Sequence, residues 1–79
     1  MDLIPDQQLD ARHLRCPMPV LKTNKILRIM QPGQILEVLA DDEGSLTDMP
    51  EYCRTTGHAL LTAESQNGQH RFLIRRKAD

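Results

Sequence analysis

Two hydrophobic periods take turns along this chain, and the switches between them mark out its elements. Over residues 17–30 apolar side chains recur at helical spacing. Val20, Thr23, Leu27 and Met30 fall on one stripe with Ile26 beside it. Lys22, Lys25 and Arg28 fall on the opposite side, together with Leu21 and Ile29. Pro32-Gly33 then ends the helix and turns the chain. Residues 34–40 form a mostly apolar run of strand length, suited to a central strand. Asp41-Asp42-Glu43-Gly44 reads as a turn that places negative charge ahead of a second helix over residues 45–56. Leu46, Met49 and Cys53 are expected on the inner stripe of that helix, and Pro50 predicts an irregular first turn. Gly57 closes it. Residues 59–65 read as a strand, Asn67-Gly68 as a hairpin turn and residues 70–75 as the last strand. Arg75-Arg76-Lys77 is expected to be a solvated basic end. At the other end, residues 1–7 read as a loose lead-in, and residues 8–11 as a short first strand running into the loop of residues 12–15.

The element order is therefore strand, helix, strand, helix, strand, strand. Right-handed crossovers put both helices on one face of a single sheet, and the hairpin sets the fourth strand antiparallel to the third. The fold class that follows is an α/β two-layer sandwich with a mixed four-stranded sheet. A chain of 79 residues holds one such domain, residues 1–79, with a modest core. Aromatic residues are limited to Tyr52 and Phe72, so aliphatic and Met side chains must do the packing.

Chemistry concentrates where the first helix begins, in Leu14-Arg15-Cys16-Pro17-Met18-Pro19. Proline is tolerated in a first helical turn, where N–H groups have no intrahelical acceptor. The spacing predicts Cys16 at the N-cap, Pro17 at the first helical position and Pro19 at the third. A thiol there meets the positive end of the helix dipole, which favours thiolate. With Pro19 lacking an N–H, that of Met18 is the remaining local donor. The two prolines stiffen the turn and keep the sulfur presented. The contrasting reading is a small buried cysteine, a common fate for a free thiol. The flanking Arg15 and both prolines argue against it. Cys53, on the inner stripe of the second helix, reads as core.

Net charge is −1, which argues against a nucleic-acid binder held by bulk electrostatics. Its distribution is uneven. Residues 12–28 carry Arg12, Arg15, Lys22, Lys25 and Arg28 and no acid, whereas residues 37–51 are acidic. A positive surround for Cys16, favouring thiolate and an acidic partner, is one reading; a sorted, solvated surface is the other. Leu21, apolar and outward-facing one turn from the thiol, reads as the centre of a docking patch ringed by Asn24, Lys25 and Arg28, or as a scattered surface hydrophobe. Two cysteines without a Cys-x-x-Cys pair make neither a disulfide framework nor a thioredoxin-like site. His13, His58 and His70 show no metal-ligand spacing. Residues 1–4 followed by Pro5 and Asp6 do not read as a signal peptide, and no apolar run approaches transmembrane length. A cytoplasmic, reducing location is the expectation.

The residues Leu9-Asp10-Ala11 and Leu14-Arg15-Cys16-Pro17-Met18-Pro19 resemble the N-terminal signature of the TusA/SirA family of small sulfur carriers. The likeness runs on through Ala40-Asp41-Asp42, Asp48-Met49-Pro50 with Cys53, Gly57-His58 and Phe72-Leu73-Ile74-Arg75. One position departs: His13 stands where the family usually has glycine. Histidine enters left-handed backbone more readily than most residues, though less readily than glycine. The resemblance implies the same sandwich, with the last strand paired inside the sheet. It also implies a sulfurtransferase carrying persulfide on Cys16, supported by Arg15, Pro17, Met18 and Pro19 and docking through Leu21, Lys25 and Arg28. The donor resembles a cysteine desulfurase or a rhodanese-type enzyme. A downstream acceptor protein takes the sulfur toward tRNA thiolation, molybdenum-cofactor synthesis or sulfur oxidation. No cofactor, metal, membrane or stable nucleic-acid partner is implied, and the free carrier is expected to be a monomer.

The residues alone favour the same chemistry. A chain this small is expected to lack an ordinary substrate pocket. No acid is positioned in sequence to orient His13 as the base of a Cys-His pair. A thiolate can instead take the terminal sulfur of another protein's persulfide, by the logic of thiol–disulfide exchange. Two other classes remain open: a non-catalytic interaction or regulatory module touching RNA through residues 12–28, and a redox sensor in which Cys16 forms a sulfenic acid.

Overall fold

A computed structural model describes residues 4–78. Six elements appear in the expected order: β1 (Gln7–Asp10), α1 (Met18–Ile29), β2 (Ile35–Ala40), α2 (Ser45–Thr56), β3 (Ala59–Gln66) and β4 (Gln69–Arg75). The sheet order is β1-β2-β4-β3, with β1 parallel to β2 and β4 antiparallel to both of its neighbours. The last strand is thus inserted inside the sheet, and the two helices pack against each other and on the sheet.

The inner face is built by period-2 alternation. Leu36, Val38 and Ala40 of β2 pair with Ile74, Phe72 and His70 of β4, and all six are buried. Leu27, Met30, Met49 and Cys53 complete the core from the helices, with Ala11 from the loop after β1. Fully burying a Leu, Ile or Phe side chain contributes about 1.5–3 kcal/mol each, so these positions dominate the stability of so short a chain. On the outer face, Glu37 is nearly buried yet satisfied: Arg71 donates to Oε2, and Gln8 Nε2 donates to Oε1 at 2.5 Å. That pairing holds the Glu37 carboxyl below its ordinary pKa.

The stripe expected on α1 is present: Thr23, Leu27 and Met30 are buried, and Val20 and Ile26 half-buried, while Lys22, Lys25 and Arg28 face solvent. In α2 the expectation needs two corrections. Its buried positions are Ser45, Met49 and Cys53, whereas Leu46 is exposed. Spacings of four place Ser45 rather than Leu46 over the sheet. The helix is also continuous from Ser45 through Pro50, because the first turn is carried by N–H groups that Pro50 does not supply. Ser45, Leu46 and Thr47 donate to Asp42, Glu43 and Gly44, and Asp48 donates to Gly44 at 2.8 Å.

Two more corrections concern the ends. Asp6 N–H donates to the Ile35 carbonyl at 2.7 Å, and Asp6 Oδ2 accepts from the Ile35 N–H at 2.8 Å. The lead-in is therefore tied to β2 by Asp6; residues 1–3 lie outside the described residues. Arg75 and Lys77 are exposed, as expected, but Arg76 is half-buried and the end is anchored to the helices. Arg76 Nε donates to the Leu27 carbonyl at 2.8 Å and Lys77 Nζ to the Thr56 carbonyl at 2.8 Å, so each cation caps a helix C-terminus. The hairpin forms at Asn67-Gly68, both in positive-φ backbone, as a two-residue turn of this kind requires.

Candidate functional site

The loop that delivers Cys16 is fixed at each step. Ala11 N–H donates to the Leu39 carbonyl at 2.7 Å, extending the β1–β2 ladder. Arg12 folds back on Asp10, with Nε to Oδ1 at 2.8 Å and Nη2 to Oδ2 at 2.9 Å, and holds that carboxyl down at about 2. His13 then adopts φ 73, the left-handed backbone that glycine takes most easily. Asp41 steadies it, accepting from the His13 N–H at 2.9 Å and lying 3.7 Å from Nδ1. An acid beside His13 thus comes from the β2–α2 turn, out of sequence range. The Cys16–Pro17 peptide is cis.

Helix α1 begins one residue later than the spacing predicts. Pro17 is the N-cap, Met18 the first helical residue, and Pro19 the second. Cys16 therefore lies just outside the helix. The Met18 N–H donates to the Arg15 carbonyl at 2.8 Å, so it is not a donor for the sulfur.

The electrostatics reverse the expectation read from residues 12–28. Cys16 is exposed, and its thiol donates to Asp48 Oδ2 at 2.6 Å. Its N–H donates to Asp42 Oδ2 at 3.3 Å. The hydrogen bond to Asp48, then desolvation, then the charges of Asp48 and Asp42 push the Cys16 thiol above its ordinary pKa. The helix dipole offers roughly half a positive charge, spread over N–H groups that start two residues on. A full carboxylate charge in hydrogen-bond contact outweighs it. The nearby Arg12 is engaged with Asp10. In this geometry the resting group is a thiol with a carboxylate on its proton.

Gly44 makes the approach possible. A Cβ there would lie 2.8 Å from Asp42 Oδ2, 3.3 Å from Cys16 Cβ and 3.6 Å from Asp48 Oδ2. Without a side chain, the start of α2 can pack directly against the Cys16 loop.

The expected docking residues Leu21, Lys25 and Arg28 are exposed, Leu21 by 53%, and so is Arg15 beside the thiol. Asn24 turns away from that patch: its Oδ1 accepts from the Tyr52 hydroxyl at 3.0 Å, joining α1 to α2. Cys53 is buried, and burial pushes its thiol up to about 11. A groove of about 390 Å³ is lined by Cys16, Val20, Asp48, Tyr52 and Thr55 among others. It is an open groove rather than an enclosed ligand cavity. Asp42, Gly44 and Asp48 are the site residues that the sequence did not single out. The turn Asp41-Asp42-Glu43-Gly44 was legible, but its destination was not.

Fold and site together define a small α/β sandwich that holds one thiol at the surface, on a proline-rich turn between the sheet and a helix. The family model for sulfurtransferase TusA matches residues 7–76, nearly the whole chain. The chain is 41% identical over 71 residues to the sulfur carrier protein TusA of Allochromatium vinosum, covering 90% of this chain and 93% of that protein. It also superposes on the crystal structure of a SirA-like protein from Desulfitobacterium hafniense with a TM-score of 0.76 at 25% identity. That match covers 91% of this chain and 99% of the other. The protein belongs to the TusA sulfurtransferase family.

Proposed function

We propose that this protein is a cytoplasmic sulfur carrier that accepts persulfide sulfur on Cys16 and relays it to an acceptor protein. The observation that carries the reading is the exposed Cys16 on the wall of an open groove, in a chain of the TusA family. The other cysteine is buried. A carrier needs its sulfur reachable by two different macromolecules in turn, and an open groove permits this where an enclosed pocket does not. The donor is a cysteine desulfurase or rhodanese-type enzyme whose own persulfide cysteine enters the groove. Acceptors serve tRNA 2-thiouridine formation, molybdenum-cofactor synthesis or sulfur oxidation. Arg15, Leu21, Lys25 and Arg28 form the docking patch, with Leu21 as its apolar centre. Pro17 and Pro19 limit retraction of the sulfur, with Met18 exposed between them.

The test is intact mass spectrometry after incubation with a cysteine desulfurase and cysteine. Wild type and Cys53→Ser should each gain one sulfur, mapped to the Cys16 peptide, and Cys16→Ser none. Sulfur on Cys16→Ser would refute the assignment.

A further inference from the structure

We propose that Asp48 is the catalytic proton acceptor and donor for sulfur transfer at Cys16, an inference that rests on the carrier reading above. Cys16 Sγ lies 2.6 Å from Asp48 Oδ2 in a hydrogen bond, the contact a base needs before a nucleophile forms. The placement is held from several directions. Asp48 sits in the first turn of α2, its own N–H bound to the Gly44 carbonyl at 2.8 Å. Asp42, in the turn that precedes α2, holds the Cys16 backbone, and the bare Cα of Gly44 lets the two segments meet. Asp42 contacts the Cys16 N–H and Asp48 the sulfur, so the two carboxylates divide positioning from proton transfer.

The step balances without any further reactant. A donor persulfide anion R–S–S⁻ approaches the Cys16 thiol. As Sγ attacks the terminal sulfur, a new S–S bond forms to Cys16, and the bond between the donor's two sulfurs breaks. The Cys16 proton passes to Asp48 as the new bond forms, and from Asp48 to the departing donor sulfur. The products are Cys16–S–S⁻ and R–SH, with the same atoms and the same charge as at the start. Protonating Asp48 during the step also removes its negative charge while negative charge builds on the three sulfurs. A permanent thiolate beside a permanent carboxylate would repel an anionic persulfide. A thiol that yields its proton on contact does not.

The test compares two reactions of the full-length protein near neutral pH. Iodoacetamide alkylation reports how much thiolate exists, and sulfur uptake from glutathione persulfide, followed by intact mass, reports transfer. Asp48→Asn should alkylate severalfold faster, because the carboxylate that disfavours thiolate is gone. The same variant should take up sulfur about a hundredfold more slowly, in the range that general acid–base catalysis supplies. Asp48→Glu should recover part of the uptake. A merely structural role would move both rates together. Uptake that rises with alkylation in Asp48→Asn, or stays unchanged, overturns the role of Asp48.

A second measurement needs no variant. In wild type, sulfur uptake should persist at pH values where alkylation has already fallen with the thiolate fraction. Coincident profiles overturn the proposal. If wild-type Cys16 takes no sulfur from glutathione persulfide or from a desulfurase, the carrier reading fails and this inference with it. Normal uptake that is indifferent to Asp48 sinks this inference alone.

Discussion

Replacing Gly44 by alanine separates the stability of this fold from the geometry of its thiol. Gly44 has φ −60 and ψ −25, ordinary right-handed backbone, so alanine brings no dihedral strain. At such a position Gly→Ala stabilises by about 0.4–1 kcal/mol, through the unfolded chain. Against this stands the new methyl, 2.8 Å from Asp42 Oδ2 and 3.3 Å from Cys16 Cβ. Ordinary contact begins at 3.4 Å, so the Asp42 carboxylate must retreat by 3.4 − 2.8 = 0.6 Å. Its bond to the Cys16 N–H is already 3.3 Å long, near the limit of hydrogen-bonding range, so a displacement of that size away from Cys16 breaks it. A bond this long and this exposed adds little to stability. Both effects are small, and urea denaturation should give a stability within about 1 kcal/mol of wild type. The thiol should respond where stability does not. Moving Asp42 away, or Cys16 off Asp48, weakens the influences that raise the thiol pKa. Alkylation by iodoacetamide near neutral pH should therefore accelerate. A loss of more than about 3 kcal/mol, the scale of a badly overpacked core, or an unchanged or slower alkylation rate would refute this account of the site.

Two further outcomes follow from the same geometry. His13→Val forces a β-branched side chain into φ 73 and should cost about 1–2 kcal/mol in urea denaturation, whereas His13→Gly should not destabilise; equal stability of the two variants would count against the strain. Cys53 has its thiol raised from an ordinary 9.0 to about 11 in the folded state, so it contributes stability that is complete below pH 9 and lost as pH rises toward 11. The loss amounts to about 2–3 kcal/mol at one pKa unit per 1.36 kcal/mol. Denaturation curves from pH 8 to 11 should fall less steeply for Cys53→Ala than for wild type, and parallel curves would mean the burial has no such effect.

By itself the sequence determined the local structure, because local structure follows from neighbours in the chain. The stripe Thr23–Leu27–Met30, the stop at Gly57, the Asn67-Gly68 hairpin and the apolar run that became β2 each depend on spacings of a few residues. It determined too that Cys16 stands where a helix begins, wrong by one position because the cap fell on Pro17. That Arg76 is half-buried, and that the exposed Lys77 bonds a backbone carbonyl, is not legible locally for a different reason. Their partners, the carbonyls of Leu27 and Thr56, belong to helix ends 49 and 21 residues away. Only the tertiary structure decided the charge around the thiol. Along the chain Cys16 stands in a basic stretch; in space its sulfur touches Asp48, thirty-two residues on. Electrostatic interaction falls with distance through space and takes no account of distance along the backbone. Packing α2 against the Cys16 loop, which the bare Gly44 allows, is what turned a presumed thiolate into a thiol with its proton on offer.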